Sequence, residues 1–299
     1  MERGVDASRL PARLAAAPIS WGVCEVPGWG RQLAPERVLA EMADLGITAT
    51  ELGPQGWLPL DGARARAELD RYELRLVGGF VPVVVHEPGL AATRTDAARA
   101  AAQLAAAGAE VFVAALVADA AWSAPPHLDD AAWERAGERL RELADLVAPE
   151  GVDLVLHPHV GTLVETAEQV DRALAHTDVP WCFDSGHLLI GGVDPVALVV
   201  KHTDRVRHTH LKDVDATWAA RVQSGSVSYT DAVRQGMYRP LGAGDIDIAT
   251  IVGTLEQAGY DGWYVLEQDT ILPERPTGEG PVVDVRTSIA HLREIAGRV

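Results

Sequence analysis

The sequence predicts a single (β/α)8 TIM barrel, an α/β fold, over residues 1–299, and three observations support this fold class. Eight short β-type runs alternate strictly with helical patterns, which is typical of a parallel sheet. Eight strands also close a barrel with a packed interior, and 299 residues are enough to build one. An open doubly wound sheet is the alternative, but no Gly-x-Gly-x-x-Gly follows the first strand. No linker rich in Pro, Gly or Ser divides the chain into two domains.

The predicted strands are apolar runs that end in a turn or a polar cluster. They cover residues 17–20, 49–52, 75–81, 110–115, 152–157, 179–184, 206–211 and 263–267. The predicted helices have amphipathic spacing, and some end at a glycine. They cover residues 35–45, 61–72, 95–107, 129–147, 166–176, 194–202, 248–258 and 285–296. Thr166 and Gln169 have the spacing of a capping box.

The stretch 212–247 is long for a barrel loop. We expect it to be irregular, with one short helix near residues 229–235. Its glycines would give it hinge freedom, so it is a candidate lid over the barrel, or else a contact in a homo-oligomer.

The composition narrows the range of partners and compartments. The formal net charge of −17 would repel a phosphate polyanion, so nucleic acid is not an expected partner. Cys24 and Cys182 are far apart and form no Cys-x-x-Cys pair, which favours a reducing cytoplasm. The first residues lack the apolar core of a signal peptide. No uncharged apolar run reaches the roughly 18 residues that a membrane helix needs, so no membrane association is expected.

Polar side chains follow several predicted strands at the points where these strands end. In a (β/α)8 barrel such positions carry the chemistry. The side chains concerned are Glu51, His157, His159, Asp184, His187, His208, His210, Lys212, Glu267 and Asp269. Half of the ten histidines are in this set. Imidazoles and carboxylates together suit Mn, Fe, Co or Zn with positions left for a substrate, so the sequence predicts a divalent metal site.

Strand alternation helps to separate ligands from their neighbours, because residues two apart share a face. His208 and His210 point the same way, and His210 is nearer the end of its strand. We therefore expect His210 to be a ligand and His208 to support it. His187 could support the ligands or contact the substrate. Trp21 falls in a strand–helix loop, where core packing and an aromatic wall for a sugar-like ring are equal alternatives.

With these residues in place, the chain resembles the xylose isomerase-like superfamily. That group includes sugar isomerases and epimerases, dehydratases and the endonuclease IV branch. The resemblance spans almost the whole chain and looks closest to the inosose dehydratases. It is carried by ISWG at 19–22, TELGP at 50–54, HPHVGTLVET at 157–166, FDSGH at 183–187, HLKD at 210–213, PLGAGDID at 240–247 and GWYVLEQD at 262–269.

The resemblance implies three metal ligands directly, namely Asp184, His210 and Glu267. The family usually supplies a fourth, a glutamate, from the fifth strand, where this sequence has His157. Either His157 is the fourth ligand or Glu165 reaches in from the following loop. This less anionic set favours Mn or Co, with Fe, Zn or Mg as alternatives. The endonuclease branch needs further ligands at 236–238, where this chain has Gly-Met-Tyr, so DNA repair is not expected.

The resemblance also implies a reaction. Epimerases of the family use two metal-bound glutamates, whereas here Glu267 is the one clear candidate, which favours elimination of water from a keto-inositol or related keto-sugar through an enediolate. The alternatives are a ketose isomerase or epimerase and a sugar-binding barrel without turnover. Candidate bases are His159, Glu267 and Lys212, and candidate acids are His187 and Lys212. The substrate pocket would be lined by Trp21, Glu51, Phe80 and His187.

Overall fold

The computed structural model describes residues 12–87, 89–275 and 278–297, and eight parallel strands within them close a barrel. The described residues contain ten strands in all, namely β1 Leu14–Ala16, β2 Ala49–Glu51, β3 Arg75–Val83, β4 Val111–Leu116, β5 Asp153–Leu156, β6 Trp181–Asp184, β7 Val206–Leu211, β8 Asp213–Val214, β9 Tyr238–Arg239 and β10 Tyr264–Leu266. The barrel order is β1 to β7 and then β10, which pairs with both β7 and β1. The predicted (β/α)8 barrel is therefore confirmed. The β8–β9 pair lies outside it and is antiparallel.

Helices follow the barrel strands, as the alternating pattern predicts. They are α1 Pro35–Asp44, α2 Gly62–Asp70, α3 Ala91–Ala107, α4 Asp130–Val147, α5 Ala167–His176, α6 Ser185–Ile190, α7 Pro195–His202, α8 Ala216–Gln223, α9 Tyr229–Arg234, α10 Ile248–Gln257 and α11 Val282–Ala296. The predicted capping box is present, because the side chains of Thr166 and Gln169 each accept a backbone N–H bond at the start of α5. Within the described residues, none of these helices combines the length and apolarity needed to cross a membrane.

The interior of the barrel is filled by small and β-branched side chains. One cluster contains Ala15, Ala49 and Val265, and another contains Val113 and Val155. Because side chains alternate along a strand, the faces that carry Ala49, Val155 and Val265 carry Glu51, His157 and Glu267 two residues further on. The barrel mouth at the carboxyl ends of the strands is thus lined by polar side chains above an apolar floor.

The prediction for the first strand is wrong in position. The strand is Leu14–Ala16, and Pro18–Trp21 forms a 3-10 turn instead. Pro18 has no N–H to donate to a neighbouring strand and its φ suits the first position of a helical turn. The apolar composition of residues 17–20 is that of a buried loop here, not of a strand.

The stretch 212–247, called the excursion below, is more regular than expected. The short helix predicted near residues 229–235 is present as α9, but α8 and the β8–β9 pair are additional. Asp215 caps α8 by accepting the N–H of Thr217, a signal that the glycine-rich context obscured. The excursion is thus a folded unit, and its role as a lid stays a prediction.

Asp213 fastens the two ends of the excursion together. Its carboxylate accepts four backbone N–H bonds, from Val214, Gly242, Gly244 and Ile246, at 2.8 to 3.1 Å. A Cβ at residue 244 would lie 2.2 Å from Asp213 Oδ1, so only glycine fits there. Two of these donors, on Val214 and Ile246, are buried and would otherwise lack partners.

We expect Asp213→Ala to lower the free energy of unfolding by about 3 kcal/mol, because it leaves two buried and two partly buried donors unpaired. Urea unfolding followed by circular dichroism measures this loss. The matched control is Asp215→Ala, which removes a helix cap and a partly exposed ion pair with Arg239 and should cost only about 1–2 kcal/mol. Equal losses in the two variants would contradict the role given to Asp213.

Candidate active site

The polar side chains predicted at the strand ends do converge at the barrel mouth. His157, Asp184, His210 and Lys212 are each at most 1 % exposed. Strand pairing sets Asp184 of β6 directly beside His210 of β7. Asp184 also caps α6, since its Oδ1 accepts the N–H of His187 at 2.8 Å. The residues after Asp184 therefore form the first turn of a helix, which holds the aspartate in place.

Asp184, His210 and Glu267 bring possible ligand atoms to one point. His210 Nδ1 lies 2.6 Å from Glu267 Oε2 and 3.5 Å from Asp184 Oδ2. Despite this proximity, neither His210 Nδ1 nor Glu267 Oε2 has a hydrogen-bond partner within the described residues. Buried acceptor atoms that face each other in this way suit a shared cation, and a donor set of Asp, His and Glu suits a divalent transition metal.

Both carboxylates of this set are in the form that binds a cation. Burial alone would raise the pKa of Asp184, but the nearby Lys212 and His187 hold that pKa well below its usual value of 3.8. Burial likewise opposes ionisation of Glu267, yet His210 and Lys212 lower its pKa from 4.5. The two groups are ionised at neutral pH for this reason.

Glu51 contacts two histidines beside the metal-ligand candidates, and its role in lining a substrate pocket stays a prediction. It is 4 % exposed, and its Oε1 lies 2.8 Å from His208 Nε2 and 3.0 Å from His210 Nε2. A carboxylate acceptor places the proton of His210 on Nε2 and turns Nδ1 towards Asp184 and Glu267. Glu51 thus orients His210, and His208 supports it, as the strand alternation predicted for His208.

The two alternatives for a fourth ligand differ clearly in position. His157 Nε2 lies 3.2 Å from Asp184 Oδ2, and His157, Asp184 and His187 form a second group able to hold an ion. Glu165 Oε2 instead accepts the backbone N–H of Gly161 at 2.8 Å, and the metal-capable groups of the described residues do not include it. Geometry therefore favours His157 over Glu165.

Lys212 has three carboxylates within reach. Its Nζ lies 2.6 Å from Asp269 Oδ1, 3.2 Å from Glu267 Oε1 and 3.6 Å from Asp184 Oδ2. Burial opposes the charge, but Asp269, Glu267 and Asp184 raise the pKa of Lys212 well above 10.5. The amine is protonated at neutral pH, so it can donate a proton or a hydrogen bond but cannot act as the base.

His159 and His187 stack on each other with ring centroids 3.8 Å apart. His159 Nδ1 donates to the carbonyl of Val160 at 2.7 Å, which leaves the lone pair on Nε2 free to accept. Burial, helped by His157 and Lys212, lowers the pKa of His159 to about 3. Burial also lowers the pKa of His187 well below 6.5, and its Nε2 lies 3.2 Å from Lys212 Nζ. His187 is therefore neutral, which argues against its predicted role as an acid.

An aromatic wall borders the imidazoles, and sequence reasoning found only half of it. Phe80 stacks on Trp122 with ring centroids 6.0 Å apart, and both rings lie within 5.7 Å of His159. Trp122 has a φ of 58°, a left-handed backbone that costs a bulky residue about 1–3 kcal/mol. It follows β4 in a loop where a tryptophan alone gives no sign of facing the site.

Trp21 does not belong to this wall. Its side chain is fully buried, and its indole nitrogen donates to Glu41 Oε2 at 2.8 Å, on α1. Of the two alternatives left open by the sequence, core packing fits this position and a substrate contact does not.

Asp269 and two tyrosines of the excursion complete the surroundings of Lys212. Asp269 Oδ2 accepts a short hydrogen bond from the hydroxyl of Tyr229, which in turn lies 2.9 Å from the hydroxyl of Tyr238. The sequence could have indicated that Asp269 belongs to the site, since it is two residues beyond Glu267 and shares its face. The tyrosines carried no such signal, because their contact depends on how the excursion folds.

Comparison with known proteins gives one family and several full-length relatives. The profile of the xylose isomerase-like TIM barrel family matches residues 39–295. The rhizopine catabolism protein MocC of Rhizobium meliloti is 35 % identical over 274 residues, which cover 88 % of this chain and 83 % of that protein. Inosose dehydratase of Geobacillus kaustophilus strain HTA426 is 34 % identical over 282 residues, 90 % of each chain.

Solved structures with low sequence identity share the fold. The structure of L-ribulose 3-epimerase superimposes with a TM-score of 0.69 at 17 % identity and covers 96 % of this chain and 95 % of that one. A structure of the IOLI protein with a bound zinc atom gives a TM-score of 0.70 at 13 % identity, with 96 % and 98 % coverage. At these identities the likeness concerns architecture alone.

The lowered pKa of His159 predicts a dependence of stability on pH. The unfolded chain takes up a proton near pH 6.5 and the folded protein only near pH 3, so this imidazole destabilises the fold increasingly as the pH falls between these values. We expect His159→Gln to gain about 1–2 kcal/mol relative to wild type between pH 7 and pH 5. Unfolding of the metal-free proteins at each pH measures this gain. His127→Gln, a change at an exposed site, should follow wild type, and parallel curves for all three proteins would refute the prediction.

Proposed function

This chain belongs to the xylose isomerase-like TIM barrel family, and on that premise we propose that it is a hydro-lyase that removes water from a keto-inositol or a related keto-sugar. It is an enzyme, since relatives over nearly its whole length carry the name inosose dehydratase. Those names support the substrate class. Two unpaired cysteines support a reducing cytoplasm as its location.

The observation that carries the proposed reaction type is the pair of unlike groups beside the candidate metal ligands. Lys212 is held protonated by carboxylates, while His159 is neutral and keeps a free lone pair on Nε2. Elimination of water needs a base for the proton next to the ketone and an acid for the departing hydroxyl. Inversion at one carbon would need a base and an acid on opposite faces of the substrate, whereas His159 and Lys212 both contact His187 and so lie close together.

Asp184, His210 and Glu267, with His157 as the fourth, would hold the divalent metal. When bound, such an ion supplies Lewis-acid stabilisation of negative charge on the substrate oxygens. The mixed nitrogen and oxygen donors favour manganese or cobalt. Burial lowers the pKa of His210, but Cys182 and the carboxylates of Glu267 and Glu51 raise it. The net effect is a pKa well above 6.5. Metal binding would therefore displace a proton from this imidazole.

The remaining steps fall to this chain's own residues. His159 Nε2 accepts the proton from the carbon next to the ketone, and negative charge that develops on the enediolate raises the basicity of the imidazole at that moment. The electron pair then forms a carbon–carbon double bond as the hydroxyl on the adjacent carbon departs. Lys212 donates the proton that turns this hydroxyl into water. Phe80 and Trp122 offer an apolar face to the substrate ring.

The test incubates 2-keto-myo-inositol in deuterated water with protein that has been stripped of metal by a chelator and then resupplied with manganese or cobalt. The expected result is loss of one water, seen by mass spectrometry and as ultraviolet absorption of the conjugated product, only with metal present. Lys212→Gln should slow water loss by about 10²–10⁴-fold and retain deuterium exchange next to the ketone. Lys201→Gln, at an exposed lysine, should behave as wild type.

Two outcomes would contradict this assignment. Exchange with inversion and without water loss would make the protein an epimerase. Neither exchange nor water loss from fully metallated protein, over a panel of keto-sugars, would favour a sugar-binding barrel without turnover.

The strained backbone at Trp122 gives a separate prediction. Trp122→Gly relieves the left-handed strain and removes the ring, so we expect stability within about 1 kcal/mol of wild type but a KM about 5–10-fold higher. Steady-state kinetics and thermal unfolding measure the two effects. Trp218→Ala, which removes a half-buried tryptophan of the excursion, should leave KM unchanged. An unchanged KM in Trp122→Gly would exclude the ring from substrate binding.

A further inference from the structure

The excursion contributes two phenols to the surroundings of Lys212, its first residue, which directly follows β7. Tyr229 is the first residue of α9 and Tyr238 lies in β9. Their hydroxyls are 2.9 Å apart, and the ring of Tyr238 lies 5.3 Å from Lys212 Nζ. The hydroxyl of Tyr229 reaches Asp269 Oδ2, while Asp269 Oδ1 lies 2.6 Å from Lys212 Nζ.

The directions of these hydrogen bonds follow from the groups involved. Lys212 can only donate, and a carboxylate can only accept. Each oxygen of Asp269 therefore has its own donor, the ammonium on Oδ1 and the Tyr229 hydroxyl on Oδ2. Tyr238 then donates to the oxygen of Tyr229. The carboxylate of Asp269 is fixed from both sides and cannot turn without losing a charge-assisted bond.

This arrangement decides which carboxylate the ammonium of Lys212 approaches most closely. Asp269 is nearest at 2.6 Å, whereas Glu267 and Asp184 lie at 3.2 Å and 3.6 Å. If Asp269 turned away, Lys212 would be drawn towards Glu267 and Asp184, which are the candidate metal ligands. The lysine would then compete with the metal for these oxygens and move away from a departing hydroxyl.

We infer that Tyr229 is a positioning residue that fixes Asp269 and thereby holds the Lys212 ammonium in place for proton donation. Tyr229 has no direct contact with Lys212 among the bonds described, so it acts through Asp269. This inference rests on the proposed function for the role of Lys212 as the acid. It gives the excursion a structural part in the site without any movement of a lid.

The test compares Tyr229→Phe with wild type in deuterated water. Because proton donation to the hydroxyl is the step affected, we expect kcat for water loss to fall about 10-fold while KM stays within about two-fold and deuterium exchange next to the ketone continues. Tyr260→Phe is the matched control. Its hydroxyl is also half-buried and makes two hydrogen bonds, with Thr209 and Trp263. Tyr260 precedes β10, however, whereas Asp269 follows this strand. This variant should lose stability and keep its kcat.

A double-mutant cycle separates action through Asp269 from a general loss of structure. Adding Tyr229→Phe to Asp269→Asn should reduce kcat by less than about two-fold further, because the route to Lys212 is already broken. Additive losses, or equal losses of exchange and water elimination, would overturn the inference.

A second readout does not require turnover. Acetic anhydride modifies lysine amines, and mass spectrometry compares Lys212 with the exposed Lys201 in the same molecule. A nearby carboxylate stabilises the unreactive ammonium form, so a weaker contact of Lys212 with Asp269 should raise its relative modification about three-fold or more in Tyr229→Phe, and not in Tyr260→Phe. Unchanged modification of Lys212 in Tyr229→Phe would overturn the inference, whether or not the wild-type protein eliminates water. Absence of water loss from the wild-type protein would count against the proposed function alone.

Discussion

Burial of negative charge is the constraint on which the barrel mouth depends. Asp184, Glu267 and Asp269 all lie within 3.6 Å of the single ammonium of Lys212, and each is largely or fully buried. One cation does not balance three carboxylates in a medium that solvates ions poorly, since unpaired buried charge is costly. The facing atoms His210 Nδ1 and Glu267 Oε2, 2.6 Å apart, mark where further positive charge would be stabilising. The same electrostatics keep the lysine protonated, while burial keeps the imidazoles of His159 and His187 neutral.

Convergence of polar side chains at the barrel mouth was predictable from strand periodicity, whereas their assignment as metal ligands rests on the family resemblance. Asp184, His210 and Glu267 stand at the ends of apolar runs, where position along the chain and position in space coincide. His208 was separated from His210 by the same alternation. Burial of a loop residue has no such periodic signal, which is why Trp21 remained ambiguous. For the same reason the apolar residues 17–20 resembled a strand, although Pro18 begins a 3-10 turn there.

The features that the sequence did not reveal are those that depend on tertiary contact. Tyr229 meets Asp269 across 40 residues of chain, and no spacing rule links them. Trp122 owes its place to an unfavourable backbone conformation that propensity would reject. Glu51 was expected to face the substrate, and the fold also places its acceptor oxygen beside two imidazoles. Local pattern thus located the reactive groups, while their supports came from the fold.

The clamp formed by Asp213 has a consequence for how this enzyme could diverge. Since one carboxylate joins the beginning of the excursion to its end, the exposed turn around Ser224 and Gly225 lies outside the part that must keep its shape. Insertions or deletions in that turn can accumulate without disturbing Lys212, because Asp213 still holds the two ends of the excursion together. Natural variants of this barrel are therefore free to acquire new surface contacts there at little expense to the chemistry below.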